Sequence, residues 1–179
     1  TNEWKEQNGW IDIKDWEAIK KVNKDTTGLW FFNSGPLAGA SQPHRHIQLL
    51  RRSQLELSCP REKWILNFSN VNCKNDKFCK NIIIKKFTKS LNEENIYQIY
   101  KELSNKLGLG DPKLDNKPRY PYNLIFTDSW IALVKRKTDN LLGISINALG
   151  FAGYILVTEK SDIKYLKNFG PEKLLENFL

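Results

Sequence analysis

A chain of 179 residues, 40% of them hydrophobic and 12% aromatic, has the length and composition of one ordinary domain with a sizeable core, and not of a disordered segment. Its apolar runs are strand-sized, well short of the ~20 residues of a membrane-spanning helix, and no signal-peptide pattern opens it. The net charge of +8 suits anionic partners such as nucleotides, nucleic acid or acidic surfaces, without choosing among them. No basic arm or nucleic-acid motif accompanies that charge, so nucleic acid is not the expected ligand. Cys59, Cys73 and Cys79 form no CxxC pair and their odd count forbids a complete disulfide framework, which reads as reduced thiols in a cytoplasmic protein. The triplet Asn67-Phe68-Ser69 fits a glycosylation site only by chance in that setting. There is no Met, even at position 1, as expected of a fragment or a processed product.

In chain order, residues 12–23 read as a short helix, with Asp12 or Asp15 as its cap and Trp16, Ile19 and Val22 as its apolar stripe. Residues 29–33 are aromatic and β-prone, and 34–43, with Gly35, Pro36, Gly39 and Pro43, form a loop. Residues 44–50 read as the next strand. Residues 61–70 are ambiguous, 74–80 are polar and loop-like, and 82–84 form a buried strand. The clearest helix is 92–107: Asn92 caps it, Ile96, Ile99, Tyr100, Leu103 and Leu107 line one face, and Gly108 ends it. Residues 110–121 hold Pro112, Pro118 and Pro121 and form a long connection. Strands follow at 122–127, 130–136, 144–147 and 154–158, then a helix at 162–168 and a last one from Pro171. Strands and helices do not alternate strictly, so the fold class is α+β. The chain divides into 1–115 and 116–179, packed as one structural unit.

The two histidines fall together in His44-Arg45-His46-Ile47-Gln48. On a strand, His44, His46 and Gln48 share one face, and Arg45 and Ile47 the other. A loop of small residues precedes them, in which Gly35 and Gly39 can take positive φ and leave room for phosphate oxygens. Three readings compete. A zinc site would need ligands from distant Cys, Asp or Glu, because there is no third His. A structural pair of histidines leaves the loop unexplained. Nucleophilic attack on phosphorus fits neutral imidazole, one ring nitrogen attacking while the other is held by a hydrogen bond.

The segment Asn33-Ser34-Gly35-Pro36-Leu37-Ala38-Gly39-Ala40-Ser41-Gln42-Pro43-His44-Arg45-His46-Ile47-Gln48 resembles the active-site segment of the ATP adenylyltransferases. These are the diadenosine tetraphosphate phosphorylases of the histidine-triad superfamily. They belong to the HxHxQ branch related to galactose-1-phosphate uridylyltransferase. A second segment resembles that family's C-terminal region: Tyr122 to Thr127, Trp130 to Arg136, and Gly143-Ile144-Ser145-Ile146-Asn147-Ala148-Leu149-Gly150-Phe151-Ala152-Gly153. Phe169-Gly170-Pro171-Glu172 agrees with it near the end.

The resemblance implies a histidine-triad-like antiparallel sheet with flanking helices, lacking the family's N-terminal segment. It implies reversible phosphorolysis of diadenosine tetraphosphate to ATP and ADP through an adenylyl-histidine. His46 would be the nucleophile, with the His44 carbonyl orienting its ring and Gln48 donating to the transferred phosphoryl oxygens. Asn33, Ser34, Gly35, Gly39, Ala40, Ser41 and Gln42 would hold the polyphosphate, with Lys135 and Asn147 as further candidates; Arg136 could also neutralise phosphate charge. No metal ligand and no tightly bound cofactor are implied, and Mg2+ enters only with the substrate phosphates. The expected partners are these small molecules, with a homodimer or a second chain supplying missing strands, and no membrane. The alternative is a non-catalytic or partner-dependent nucleotide-binding fragment of the same family. Hydrolysis instead of phosphorolysis, or transfer to sulfate-derived nucleotides, stays open at this point.

Overall fold

The computed structural model describes residues 1, 3–53, 56–68, 76–88 and 91–179. Cys73 and the last residue of the Asn67 triplet lie outside them. Helix α1 (Ile13–Val22) opens on a closed capping box, in which the Asp12 side chain accepts from the Asp15 N–H and Asp15 accepts in return from the Asp12 N–H. Strand β1 (Gly28–Asn33) follows, then a short 3-10 turn (Pro36–Ala38) and β2 (Gln48–Arg51). Next come α2 (Glu62–Asn67), α3 (Lys77–Asn81), β3 (Ile82–Lys86) and α4 (Glu93–Lys106). Strands β4 (Tyr122–Phe126) and β5 (Trp130–Lys135) form a hairpin, and β6 (Asn140–Leu141) and β7 (Ile144–Ser145) a small one. Helices α5 (Ala148–Ala152) and α6 (Ile163–Glu176) end the chain, and α6 breaks at Gly170, where φ is 77°, before Pro171.

Five strands form one antiparallel sheet in the order β2-β1-β4-β5-β3. Strands from either side of residue 115 therefore interleave in it. Side-chain alternation divides the core in two. Trp30, Phe32, Leu124, Phe126, Ile131 and Leu133 face α1 and α4, where Trp16, Ile96, Tyr100 and Leu103 cover them. Leu29, Phe31, Ile125, Ala132 and Val134 face the other way, covered by residues of α2, α3, α5 and α6. Val22, expected on the α1 stripe, is exposed.

Four elements depart from the sequence reading. Residues 44–47 are extended but not part of the sheet. Their partner is the N-terminal stretch, through a bridge between Glu6 and His44 and the bonds Arg45 N to Lys5 O (2.8 Å) and Gln7 N to Pro43 O (2.8 Å). Where 74–80 is expected as loop, residues 77–81 form α3 because Asp76 caps Phe78 N and Phe78 buries its ring. The strand expected at 144–147 shrinks to β7, because Asn147 caps α5 through a bond to Leu149 N. Residues 154–158 are not a strand. Residues 61–70, left ambiguous, contain α2. Cys59 is a free, buried thiol, whereas Cys79 is disulfide-bonded, against the expectation of reduced cysteines.

Candidate functional site

His46 sits two residues before β2, at the edge of the sheet. Gln48 pairs with Phe31 and so opens toward the α5 face of the sheet, and the side-chain alternation places His44 and His46 with it. Arg45, Ile47 and Leu49 point the other way: Ile47 and Leu49 pack on the α1–α4 core, and Arg45 is buried with its Nη1 donating to Asp15 Oδ2 at 2.9 Å. This buried pair anchors the strand from behind and leaves both imidazoles on the opposite side.

The His46 ring is fixed through its own chain. Nδ1 lies 2.9 Å from the His44 carbonyl oxygen. A carbonyl only accepts, so Nδ1 carries the proton, and in the neutral ring the lone pair is on Nε2. The backbone of His46 is held by Gln7, a residue to which sequence reasoning gave no role. Gln7 is buried; its Oε1 accepts from His46 N at 2.8 Å, and its Nε2 donates to Asn33 O at 2.7 Å and to His46 O at 3.4 Å. No local pattern announces this contact, which spans 39 residues of sequence. His44 is clamped by the N-terminus: its ring stacks on Trp4 at 4.9 Å, nearly parallel, and its Nε2 meets the Thr1 hydroxyl at 3.0 Å.

The loop before the histidines differs from a row of free amides. The N–H groups of Ser34, Gly35, Ala38, Gly39 and Ala40 are already donated, to Tyr122 O, Asn33 O, Gly35 O, Pro36 O and Gly35 O. Ser34 Oγ accepts from Tyr122 N at 2.7 Å, which commits that side chain to β4. The amides of Ser41 and Gln42 have no partner among the described residues, and both side chains are exposed. Those two residues, with His46 and Gln48, are therefore among the loop-and-strand groups open to an anion. Gly39 makes room for protein and not for phosphate: a Cβ there would stand 2.7 Å from Asn147 Cβ. Gly35, by contrast, lines a groove of about 410 Å³ with Pro36, Ala40, Ser41, Gln42 and Pro43.

Asn33 is buried, and its Oδ1 accepts from Asn123 Nδ2 at 2.8 Å and from Ala148 N at 2.9 Å. Its own Nδ2 has no partner among the described residues. Asn123 reaches on to Ala38 O at 2.8 Å and accepts from Arg136 Nη1. Arg136 also donates to Thr138 O, Ile146 O and Phe178 O. This buried chain of groups ties the loop, β4 and the start of α5 together. Burial brings the Arg136 guanidinium down to about 9. Arg136 is thus a structural brace, not a phosphate ligand. Lys135 follows Ile131 and Leu133 on the α1–α4 side of the sheet, where its ammonium stands over the Tyr120 ring at 5.3 Å, away from the His46 side. Asn147 spends its side-chain oxygen on capping α5. Among the described residues, no group of three or more His, Cys, Asp or Glu could hold a metal ion. No helix among them is long and apolar enough to cross a membrane.

Comparison with known proteins gives the geometry a context. Residues 59–178 match the family described as ATP adenylyltransferase C-terminal domain, and residues 1–63 match that described as Ap4A phosphorylase N-terminal domain. The two matches overlap over residues 59–63, just before and at the start of α2. In Saccharomyces cerevisiae, diadenosine 5',5'''-P1,P4-tetraphosphate phosphorylase 2 is 25% identical over 153 residues, covering 77% of this chain and 47% of that protein. Protein APA1 of the same yeast is 25% identical over 176 residues, covering 90% and 54%. The chain thus spans about half the length of these relatives. The crystal structure of yeast Ap4A phosphorylase Apa2 in complex with Ap4A has the same fold, with a TM-score of 0.68 at 20% identity; it covers 100% of this chain and 66% of that one.

Proposed function

The chain belongs to the ATP adenylyltransferase (Ap4A phosphorylase) family, and from that premise we propose that it is a nucleotidyltransferase converting diadenosine tetraphosphate (Ap4A) and phosphate to ATP and ADP. The observation that carries the reading is the 2.9 Å contact between His46 Nδ1 and His44 O. It holds the proton on Nδ1 and presents the Nε2 lone pair to an electrophile without a carboxylate partner.

The reaction runs in two balanced steps. His46 Nε2 attacks the α-phosphorus of one adenylyl end of Ap4A; the P–N bond forms as the P–O bond to ATP breaks, and ATP leaves. An oxygen of inorganic phosphate then attacks the same phosphorus, the P–N bond breaks, and ADP leaves with the imidazole restored. ATP is a stable leaving group, so the protein mainly positions reactants and balances charge. Ser41, Gln42 and the Gln48 amide are the open donors for the phosphoryl oxygens. The donor left free on Asn33 Nδ2 is a further candidate. No metal set of the chain's own is invoked; Mg2+ would travel with the substrate phosphates.

The test is phosphorolysis itself. The purified chain is incubated with Ap4A and phosphate, nucleotides are followed by chromatography, and His46→Ala is run alongside. Omitting phosphate should leave AMP on the intact protein and none on His46→Ala, read by mass spectrometry. ATP and ADP appearing equally with both proteins would remove His46 from the chemistry. A folded chain that binds ATP and yields no product would instead assign it the nucleotide-binding role alone.

A further inference from the structure

We propose that Arg45 is a positioning residue for transfer to His46, and that Asp15, in the first turn of α1, locks it in place. The inference rests on His46 as the nucleophile and assigns what aims its ring. The contact that aims it, His46 Nδ1 to the His44 carbonyl at 2.9 Å, joins the two chain neighbours of Arg45. With planar peptides on both sides, its length is set by the backbone torsions of Arg45 and by φ and the χ angles of His46. Gln7 holds the His46 backbone, and a separate set of bonds holds Arg45. Arg45 N donates to Lys5 O at 2.8 Å, Nη1 to Asp15 Oδ2 at 2.9 Å and Nη2 to Glu6 O at 3.2 Å. Asp15 is itself fixed, because the same carboxylate oxygen accepts from Asp12 N at 3.0 Å and closes the capping box. The first turn of α1 and the stretch before it thus clamp the residue between the two histidines.

The groups used here serve direction more than stability. The two side chains are only 6% and 3% exposed, and a buried ion pair is often no more stabilising than apolar side chains of the same volume. Arg45 Nε is also buried with no partner among the described residues, which adds a cost. What the pair supplies is orientation. The planar guanidinium engages a carboxylate on α1 and a carbonyl of the N-terminal stretch at once, a fork that an ammonium cannot copy. Gly9 leaves the room this needs: a Cβ there would stand 2.5 Å from Arg45 Nη2 and would push the fork off its seat.

The test compares the full chain with Gly9→Ala, Asp15→Asn and Arg45→Lys. Asp15→Asn keeps an acceptor for the helix cap and removes the charge; Gly9→Ala keeps both charges and moves only the fork. The first readout is nitrogen NMR of the imidazoles at about pH 8.5, where unperturbed imidazole is neutral, with His46→Ala identifying the His46 signals. In the unmodified chain His46 should carry its proton on Nδ1 alone. In the three variants a second tautomer, protonated on Nε2, should appear. The second readout is phosphorolysis of Ap4A below the melting temperature of every variant. There kcat should fall about 10- to 100-fold with KM within about 3-fold, because the reacting nitrogen is misaimed while the phosphate-binding groups are untouched. A single Nδ1-protonated tautomer retained in folded Gly9→Ala overturns the proposal, as does a loss of kcat/KM carried by KM, or both tautomers in the unmodified chain. An unmodified chain that binds ATP and turns over no Ap4A overturns the nucleotidyltransferase reading instead, and the tautomer comparison still decides whether Arg45 aims the His46 ring.

Discussion

Gln7 holds the His46 peptide at both its polar ends: Oε1 accepts from His46 N at 2.8 Å, and Nε2 approaches His46 O at 3.4 Å while donating to Asn33 O at 2.7 Å. A β-strand neighbour would supply such bonds from its backbone. Here one buried side chain does so where the extended segment leaves β1, and the result fixes where the His46 ring starts. Gln7→Leu keeps the bulk and removes all three bonds. It should cost about 2–4 kcal/mol in urea unfolding, because buried main-chain groups lose partners. Turnover of Ap4A should fall about 10- to 100-fold, mainly in kcat, since the reacting nitrogen is displaced while the groove stays. Full turnover in the destabilised variant would refute the positioning role.

The close packing of Gly39 on Asn147 gives a second prediction. Gly39 has φ +85°, and an added Cβ would meet Asn147 Cβ at 2.7 Å and Asn147 Cα at 3.0 Å. Gly108 has a similar φ of +75° and open space around it. Gly108→Ala should therefore cost only the left-handed strain, ~1 kcal/mol. Gly39→Ala should cost about 2–4 kcal/mol, strain plus overpacking. Removing the facing Cβ with Asn147→Gly should recover part of that loss in the double variant, a coupling that thermal unfolding of the four proteins measures. Additive losses would show that the two residues do not press on each other.

Arg136 bridges Asn123 Oδ1, Thr138 O, Ile146 O and Phe178 O, and so joins β4 to the segment before α5 and to the last turn of the chain. Arg136→Met should destabilise by at least about 3 kcal/mol, since several buried acceptors lose their donors at once. Arg136→Lys should rescue little, because one ammonium cannot reproduce the planar fork. Recovery by Lys to within about 1 kcal/mol of the native chain would mean that charge alone matters at this position.

Much of this architecture was readable from the sequence because it is written in local periods. The alternation in 44–50 separated the imidazoles from Arg45 and Ile47, and the stripe of Ile96, Tyr100, Leu103 and Leu107 marked α4. What was not readable depends on residues far apart in sequence. Residues 44–47 pair with Lys5–Gln7 and not with the sheet, and nothing near either segment signals it. The 34–40 loop reads as a phosphate cradle from its glycines, yet most of its amides are spent on the loop's own turns and on β4. Lys135 and Arg136 are adjacent basic residues, but strand alternation sends one toward Tyr120 and the other into the core. In α5, an Asn and two glycines suggest a turn, and only the burial of Ala148, Phe151 and Ala152 makes the segment a helix.

Cys59 provides a test of the core that is independent of nucleotide chemistry. Its thiol is free and 1% exposed, and burial pushes it up from 9.0 to about 11. The folded chain therefore keeps the proton over a range in which the unfolded chain has already lost it. Above pH 9 the unfolded state binds fewer protons, so this group's contribution to stability is whole below pH 9 and is lost as pH rises through about 11. The full loss corresponds to ~2–3 kcal/mol. Other groups titrate nearby: Arg136, lowered to about 9 by burial, acts with the opposite sign, and Tyr100 and Tyr122, both raised by burial, act with the same sign as Cys59. Comparing the native chain with Cys59→Ala cancels those terms. The native chain should be the more stable of the two at pH 8, and that advantage should shrink by ~2–3 kcal/mol between pH 8 and pH 11 in urea unfolding. An advantage that stays constant with pH would show that the Cys59 thiolate is no costlier in the core than in the unfolded chain.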